Sequence, residues 1–259
     1  MRVARFAGDD DPRFGLIGDE NGVATVAVLK GDPLYAGIEF TGEKVPLEDV
    51  RLLAPVIPRS KVVCVGKNYA AHAAEMGGEA PAEPLLFLKP NTAVIGPGEP
   101  IFYPEQSRSV HFEGELAVVI GRICRDISPT DAAKVIFGYT IGNDVTARDL
   151  QKADGQWTRA KGFDTFCPLG PWIETDLDAS EISVRTELNG EIKQDGNTRD
   201  LIHPIADVIA YISSVMTLLP GDVVLTGTPE GVGPMDVGDE VSVSIDGIGT
   251  LTNRVVDRV

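Results

Sequence analysis

The sequence predicts an α+β fold built mainly from β-strands. Short apolar runs bounded by glycine, proline and polar residues recur along the 259-residue chain, as is typical of strands joined by turns. One long segment, residues 204–219, instead places its apolar residues at the i, i+3, i+4 spacing of an amphipathic helix, with Pro220-Gly221 at its end. A single clear amphipathic helix among many strands argues against a doubly wound α/β sheet.

A small β-rich module is expected at the N-terminus, over residues 1–57. Its strands are predicted at Arg2–Phe6, Phe14–Ile17 and Val23–Val28. A polar, glycine-containing turn over residues 18–22 separates the last two. Residues 46–58 contain several prolines, and because proline disfavours helix in the residue before it, this stretch is predicted to be an extended linker.

A larger domain is expected over residues 58–259. It is predicted to begin with a buried strand, residues 61–66, and a short alanine-rich helix, Asn68–Met76. Strand-like runs follow at Leu85–Leu88, Leu116–Ile120, Phe137–Ile141, Val184–Leu188, Val223–Leu225 and Glu240–Ile245. The amphipathic helix over residues 204–219 interrupts this series of strands.

Composition and charge restrict the possible partners. The chain carries 39 acidic and 23 basic side chains, a formal net charge of −16. Since nucleic acids and anionic membranes are polyanions, this charge argues against both as partners, and an anionic substrate would need a site of opposite local sign. The N-terminus lacks an apolar signal core, and three widely spaced cysteines suit a reducing compartment, so we predict a soluble cytoplasmic protein.

Three carboxylates form a candidate metal site. Glu113 and Glu115 are two residues apart in a strand-like stretch, so their side chains share one face. Asp144 follows a buried strand-like run and precedes a polar segment. With no histidine or thiolate close by in sequence, such a set suits a hard ion, namely Mg²⁺, Mn²⁺ or Ca²⁺. The two glutamates alone fit a solvated strand end equally well.

His72 and Glu75 form a candidate catalytic pair. Residues i and i+3 share a helix face, so the carboxylate can orient and charge-stabilise the imidazole for activating water. Gly77 and Gly78 follow and would allow the segment to move as a lid. A His–Glu pair on a helix surface without catalytic function is the alternative.

Basic and hydroxyl-bearing side chains complete the candidate residues. Arg148 and Lys161 flank a polar stretch, and Lys89 closes a strand-like run; solvated surface positions are the alternative for all three. Residues 225–233 follow a strand and offer hydroxyls and free amides to an anion, or form a glycine-rich hairpin turn. This loop matches neither the phosphate-loop nor the dinucleotide-binding motif, so nucleotide binding is not indicated.

Taken together and in this order, six segments resemble the fumarylacetoacetate hydrolase family. They are Cys64–Ala70 with His72 and Glu75, Leu86–Pro90, His111–Leu116, Asn143–Asp149 with Gln151, Lys161–Asp164 and Thr226–Gly233. Each motif alone is weak, whereas all six in sequence are specific. The resemblance covers about residues 58–258, nearly everything after the N-terminal module.

The resemblance implies a role for each matching residue. Glu113, Glu115 and Asp144 would bind Mg²⁺ or Mn²⁺, and His72 and Glu75 would be a water-activating pair on a lid. Lys161 would be a third catalytic residue, which contacts substrate oxygens near the metal and adds positive charge to the developing enolate. Gln151 would also contact substrate oxygens near the metal, and Thr228 would receive the substrate carboxylate. Arg148 and Lys89 would be further substrate-binding residues. The family fold is a mixed β-roll with few helices, and its members usually form homodimers.

The resemblance also implies the type of reaction. Family substrates are small anionic 2-oxo acids with a second carbonyl. Hydrolysis, decarboxylation and isomerisation of such acids can all proceed through an enolate that a metal ion stabilises. We expect cleavage of a C–C bond, by an acylpyruvate- or fumarylacetoacetate-type hydrolase or an oxaloacetate-type decarboxylase. A 2-hydroxyhepta-2,4-diene-1,7-dioate isomerase of aromatic catabolism is the alternative. A catalytically silent metal-binding scaffold is the alternative from another class.

Overall fold

The computed structural model describes residues 1–8, 11–75, 77–78 and 80–258. The strands are β1 Arg2–Phe6, β2 Arg13–Glu20, β3 Val23–Leu29, β4 Phe40–Pro46, β5 Leu52–Leu53, β6 Val62–Gly66, β7 Leu85–Lys89, β8 Val94–Ile95, β9 Ile101–Tyr103, β10 Val110–Phe112, β11 Gly114–Ile120, β12 Ile136–Asn143, β13 Thr146–Ala147, β14 Cys167–Glu174, β15 Ser183–Leu188, β16 Glu191–Asn197, β17 Val223–Leu225, β18 Gly233–Met235, β19 Glu240–Ile245 and β20 Gly249–Asp257. The α-helices are α1 Pro33–Ala36, α2 Ala70–Glu75, α3 Arg148–Asp154, α4 Thr158–Lys161 and α5 Ile205–Val215. Short 3₁₀ helices lie at Leu47–Asp49, Asn91–Ala93, Pro129–Lys134 and Thr198–Asp200. The structure therefore confirms the predicted α+β fold, which is built mainly from β-strands.

The strands of the described residues form three sheets. The largest has twelve strands, ten of them in the order β4-β3-β2-β1-β14-β12-β11-β17-β6-β7, with β5 paired to β1 and β8 to β14. A five-stranded sheet, β16-β15-β19-β20-β9, and a three-stranded sheet, β13-β10-β18, complete the set. Most neighbours are antiparallel, as expected where short turns rather than crossover helices connect the strands. The doubly wound alternative is therefore excluded.

The N-terminal strands extend the large sheet. Val3 of β1 pairs with Ile173 of β14, so strands β1 to β4 continue the sheet that also contains β14, β12 and β11. The hairpin turn is shorter than the predicted turn over residues 18–22, because β2 runs to Glu20 and only Asn21 and Gly22 remain. Both have positive φ, 57° and 85°, as a tight two-residue hairpin requires. The boundary between residues 57 and 58 stays a prediction.

The amphipathic helix is present but shorter than predicted. Helix α5 buries Val208, Ile209 and Ile212 against apolar side chains of the large sheet, so the predicted apolar face is correct. It ends at Val215 because Met216 turns to an extended conformation, and Leu218 then exchanges backbone hydrogen bonds with Cys124. Residues 216–219 thus pair with a neighbouring segment instead of continuing the helix.

Other local predictions differ from the structure at their edges. Helix α2 covers Ala70–Glu75 rather than Asn68–Met76, since Asn68 is an anchored loop residue, and Met76 lies outside the described residues. The predicted linker over residues 46–58 contains strand β5, which pairs with β1. A further correction concerns helix number, because α3 and α4 occupy the polar stretch after Asp144. Both are too short and too polar to show an amphipathic period.

Several strands that are followed or preceded by polar residues end at the same edge of the large sheet. Strands β6 and β17 are parallel, so both finish at this edge, and β12 finishes there beside the first residue of β11. Within the described ranges, no helix combines the length and apolarity needed to cross a lipid bilayer. We therefore expect a functional site at this polar edge.

Candidate active site and metal centre

The three predicted carboxylates meet at this edge. Pairing of Gly114 with Asn143 places Glu113 beside Asp144, and the backbone N–H of Asp144 donates to the Glu113 carbonyl at 2.8 Å. Glu113, Glu115 and Asp144 each offer one oxygen within 4.8 Å of the others, and all three are buried. The structure brings together in space what the sequence separates by about thirty residues.

Glu115 has the least compensated charge of the three. Its carboxylate accepts a hydrogen bond from the backbone N–H of Gly227 at 2.7 Å, and among the described residues no cation lies within ion-pair distance of it. Burial raises the pKa of Glu115 well above its usual value, and the charges of Asp144 and Glu113 raise it further. Such a buried carboxylate is suited to face a positive ion.

Glu113 lies between two cations. Burial alone would raise its pKa, but the charges of Lys161 and Arg148 outweigh burial and lower it far below the usual range. The Lys161 Nζ donates to Glu113 Oε2 at 2.8 Å and to Asp144 Oδ2 at 2.6 Å, and Arg148 donates to the other Glu113 oxygen. In turn, burial lowers the pKa of Lys161 and the two carboxylates more than restore it. Glu113 is thus held ionised.

Lys89 is paired with Asp144. Its Nζ donates to Asp144 Oδ1 at 2.5 Å and to the Val145 carbonyl at 3.1 Å, and the side chain is fully buried. Lys89 does not line the cavity beside the carboxylates. The ammonium is therefore placed to orient Asp144, and the contact of Lys89 with substrate stays a prediction.

The His72–Glu75 pair forms as predicted. His72 Nδ1 lies 3.1 Å from Glu75 Oε2, while the other carboxylate oxygen accepts from the backbone N–H of Gly231 at 3.1 Å. His72 is buried and lines the same cavity as the three carboxylates. With Nδ1 engaged by Glu75, Nε2 remains for a ligand in that cavity.

A cavity of about 210 Å³ opens above the carboxylates. Of the ten predicted site residues, all but Glu75 and Lys89 line it. Gln151, one helical turn after Arg148, accepts from the Arg148 guanidinium at 2.7 Å. Thr228 also lines the cavity, and its hydroxyl donates to the Gly114 carbonyl at 2.9 Å. The volume suits a small molecule rather than a polymer.

Sequence reasoning missed several residues that line or support this cavity, among them Gln194, Trp157, Lys67 and Lys152. Gln194 of β16 donates to the Thr228 hydroxyl at 2.8 Å and accepts from the backbone N–H of Gly114 at 3.0 Å. Trp157 lies against Phe87, with ring centroids 5.2 Å apart, and both rings line the cavity. Gln194 has no local sequence signal, whereas a tryptophan between Arg148 and Lys161 was a signal that could have been used.

The donor set fits a divalent cation. All three candidate ligand groups are carboxylates, which are the ligands that Mg²⁺ and Mn²⁺ prefer. Glu115 is buried with one backbone hydrogen bond, so a cation beside it would relieve the repulsion from Glu113 and Asp144. Glu113, Glu115 and Asp144 are the residues that would hold this ion.

Two known families together match nearly the whole chain. The family described as fumarylacetoacetate (FAA) hydrolase C-terminal matches residues 61–256. The family described as Rv2993c-like, N-terminal, matches residues 1–55. Protein Rv2993c of Mycobacterium tuberculosis is 56% identical over 263 residues, covering 100% of this chain and 99% of that protein. Oxaloacetate tautomerase YcgM of Escherichia coli is 48% identical, covering 77% of this chain and 94% of that protein.

Solved structures share the same fold. The crystal structure of 5-carboxymethyl-2-hydroxymuconate delta-isomerase from Mycobacterium smegmatis has a TM-score of 0.93 and 55% identity, with 100% of both chains covered. Maleylpyruvate hydrolase from Sphingobium sp. SYK-6, solved with manganese(II) and pyruvate, has a TM-score of 0.82 and 33% identity, again with 100% of both chains covered. These similarities agree with the order of the sequence motifs and with the site formed by the three carboxylates. The chain therefore belongs to the fumarylacetoacetate hydrolase family.

Proposed function

We propose that this protein is a divalent-metal-dependent enzyme that transfers a proton at the carbon next to the 2-oxo group of a small dicarboxylic 2-oxo acid. The observation that carries the proposal is the convergence of three buried carboxylates and the His72–Glu75 pair on one small cavity. Isomerase and tautomerase names among relatives at 48–55% identity favour proton transfer. Proton transfer thus replaces C–C bond cleavage, the reaction expected from the sequence, as the first candidate.

The residues of the chain divide the chemistry between them. When bound, a divalent cation supplies a Lewis acid that favours the enolate form of a 2-oxo acid. His72 Nε2 removes the proton from the carbon beside the 2-oxo group and returns it, because Nδ1 is held by Glu75. The Lys161 ammonium places positive charge where the enolate oxygen develops.

Burial strengthens this arrangement. Phe87 and Trp157 cover one side of the cavity, and the Lys161 Nζ lies 4.8 Å from the Phe87 ring centroid. In such partly dry surroundings, the attraction between Lys161 and a developing oxyanion is larger than in water. The geometry thus supports enolisation without a covalent enzyme intermediate.

Cleavage of a C–C bond is the second candidate. The same His72 Nε2 could deprotonate a water molecule that attacks the distal carbonyl, as the hydrolase names of relatives such as maleylpyruvate hydrolase suggest. The enolate would then leave with the acid fragment as the second product. Decarboxylation of an oxaloacetate-like acid would need no nucleophilic water.

Product identification separates these reactions. The purified protein is incubated in D₂O with oxaloacetate, an acylpyruvate and a 2-hydroxydienedioate, and NMR follows deuterium exchange, fragment release and double-bond position. We expect exchange or a shifted double bond that chelation abolishes and Mg²⁺ or Mn²⁺ restores. Fragment release without faster exchange would favour hydrolysis instead, and undiminished turnover after chelation would contradict the metal centre.

The predicted homodimer belongs to the same proposal. Family members are expected to assemble in pairs, and light scattering on the purified chain tests this expectation directly. A mass of one chain, 27.6 kDa, would contradict it.

A further inference from the structure

Two cations of the cavity make no hydrogen bond or ion pair in the part of the chain that the structure describes. Arg148 and Lys161 are both neutralised by carboxylates, as described above. Lys67 and Lys152 also line the cavity, yet across the described ranges neither ammonium takes part in a hydrogen bond or an ion pair. A cation that faces a binding cavity without a counter-charge is available to an anionic ligand.

The backbone holds Lys67 in an uncommon conformation. Its φ is 56°, in the left-handed region that residues with a Cβ seldom adopt. The next residue, Asn68, is fully buried and is anchored through its side chain to the Thr226 carbonyl at 2.8 Å and to the His203 backbone at 2.8 Å. This anchoring maintains the conformation of Lys67, and such strained residues cluster at functional sites.

The Lys67 ammonium lies away from the metal-site carboxylates. It is beyond ion-pair distance of Glu113, Glu115 and Asp144. It lies instead beside Gly78, where a Cβ would come within 2.7 Å of Nζ, so the small residue leaves room for the lysine. Phe87 and Trp157 provide an apolar wall in the same cavity. The cavity is therefore lined by an ammonium group that is not paired with the metal-site carboxylates.

We propose that Lys67 is a specificity-determining residue that binds the distal carboxylate of the substrate, with Lys152 at the exposed rim adding long-range attraction. The inference rests on the proposed function, in which the 2-oxo acid end lies at Glu113, Glu115 and Asp144. A substrate with a second carboxylate then spans the cavity from the metal site to Lys67. A substrate with an uncharged tail lacks this contact.

A substrate pair with and without the distal charge tests the proposal. Deuterium exchange beside the 2-oxo group is measured for oxaloacetate and for 2-oxobutanoate, with wild type, Lys67→Met and Lys67→Arg. We expect Lys67→Met to raise KM for oxaloacetate about tenfold or more, to change 2-oxobutanoate less than about twofold, and Lys67→Arg to restore most of the loss. Equal losses on both substrates would overturn the specificity role.

Binding without turnover provides an independent measurement. In the presence of Mn²⁺, calorimetry compares malate with 2-hydroxybutanoate, which share the 2-hydroxy acid end and differ in the second carboxylate. Lys67→Met should weaken malate binding about tenfold and leave 2-hydroxybutanoate unchanged. If the wild type exchanges neither 2-oxo acid, the proposed reaction fails, and the malate comparison still decides the role of Lys67.

Two further variants control for folding and for general charge. Lys67→Asn also removes the charge and tolerates a positive φ, so it should reproduce the selectivity loss with wild-type thermal stability. Lys134→Met removes a cation from an exposed surface pair with Asp131 and should leave both substrates unchanged. A loss of oxaloacetate selectivity in Lys134→Met equal to that in Lys67→Met would show that net charge, not the Lys67 position, is responsible.

Discussion

Glu115 and Gly227 are joined by a hydrogen bond of 2.7 Å from the glycine N–H to the carboxylate. The contact links the strand that carries two metal-ligand candidates to the loop that follows β17. It requires glycine, because φ at Gly227 is 104° and a Cβ there would lie 2.7 Å from the Asn68 Cβ. The backbone of this loop is therefore part of the candidate metal centre.

Gly227→Ala should impair both stability and metal binding. Positive φ and the clash with Asn68 together are expected to cost about 2–3 kcal/mol of unfolding free energy, and the displaced N–H should weaken Mn²⁺ binding. Urea denaturation and calorimetry measure the two effects. Gly238→Ala is the matched control, since φ there is 100° with open space around the position, so it should lose about 1 kcal/mol and keep its metal affinity.

Glu115→Gln should stabilise the protein without metal and abolish stabilisation by metal. The substitution replaces a buried carboxyl whose ionisation is disfavoured by burial and by the charges of Asp144 and Glu113, with an expected gain of about 1–2 kcal/mol in metal-free buffer at neutral pH. Thermal unfolding with and without Mn²⁺ measures both effects. Glu105→Gln, at an exposed position, should behave as the wild type. A metal-induced rise in Tm that survives in Glu115→Gln would contradict the ligand assignment.

Lys89→Met should destabilise the protein and weaken metal binding, because Asp144 loses the ammonium that orients it. We expect a loss of about 3 kcal/mol, since Lys161 still neutralises Asp144. Lys61→Met provides the comparison, as Lys61 Nζ donates to buried Asp222 at 2.5 Å and neither residue lines the cavity. Both variants should lose stability in urea denaturation, but calorimetry should show weaker Mn²⁺ binding in Lys89→Met alone.

The two members of the catalytic pair should differ in their effect on rate. His72→Asn removes the proton acceptor and should lower kcat by about 10²–10⁴-fold, whereas Glu75→Gln keeps a hydrogen-bonding group and should cost less. Both variants should change Mn²⁺ affinity much less than kcat, since among the described residues no hydrogen bond or ion pair joins His72 or Glu75 to the metal-site carboxylates. Glu83→Gln, exposed and near the same segment, serves as the control. An unchanged kcat in His72→Asn would contradict its role as the base.

The cysteines should be unreactive in the folded protein. Burial raises the pKa of Cys167 to about 12 and that of Cys64 well above its usual value, so both remain thiols at a pH where an exposed cysteine begins to ionise. Alkylation at about pH 8, followed by mass spectrometry, should leave Cys64 and Cys167 unmodified until the chain is unfolded. Rapid labelling of Cys64 in the native state would contradict the buried position.

Much of the fold was predictable because its signals are local. The apolar runs of β6, β11, β12, β15, β17 and β19 each lie within one stretch of chain, as does the apolar face of α5. Strands β10, β13 and β18 were missed because each has only two or three residues and depends on pairing with the others. Helices α3 and α4 were missed because packing, not an amphipathic period, stabilises them.

For the candidate site, the sequence by itself determined which types of side chain are present, namely carboxylates for a metal ion and a histidine–carboxylate pair for proton transfer. The i, i+2 spacing of Glu113 and Glu115 and the i, i+3 spacing of His72 and Glu75 are set by strand and helix geometry, which is local. Motif order indicated the family. The tertiary structure alone decided which groups meet, because strand pairing joins residue 113 to 144 and residue 64 to 225. It also decided hydrogen-bond partners, because a side chain's partner depends on which strand lies beside it. Lys89 is bound to Asp144, whereas Lys67 lines the cavity and has no hydrogen bond or ion pair with any described residue.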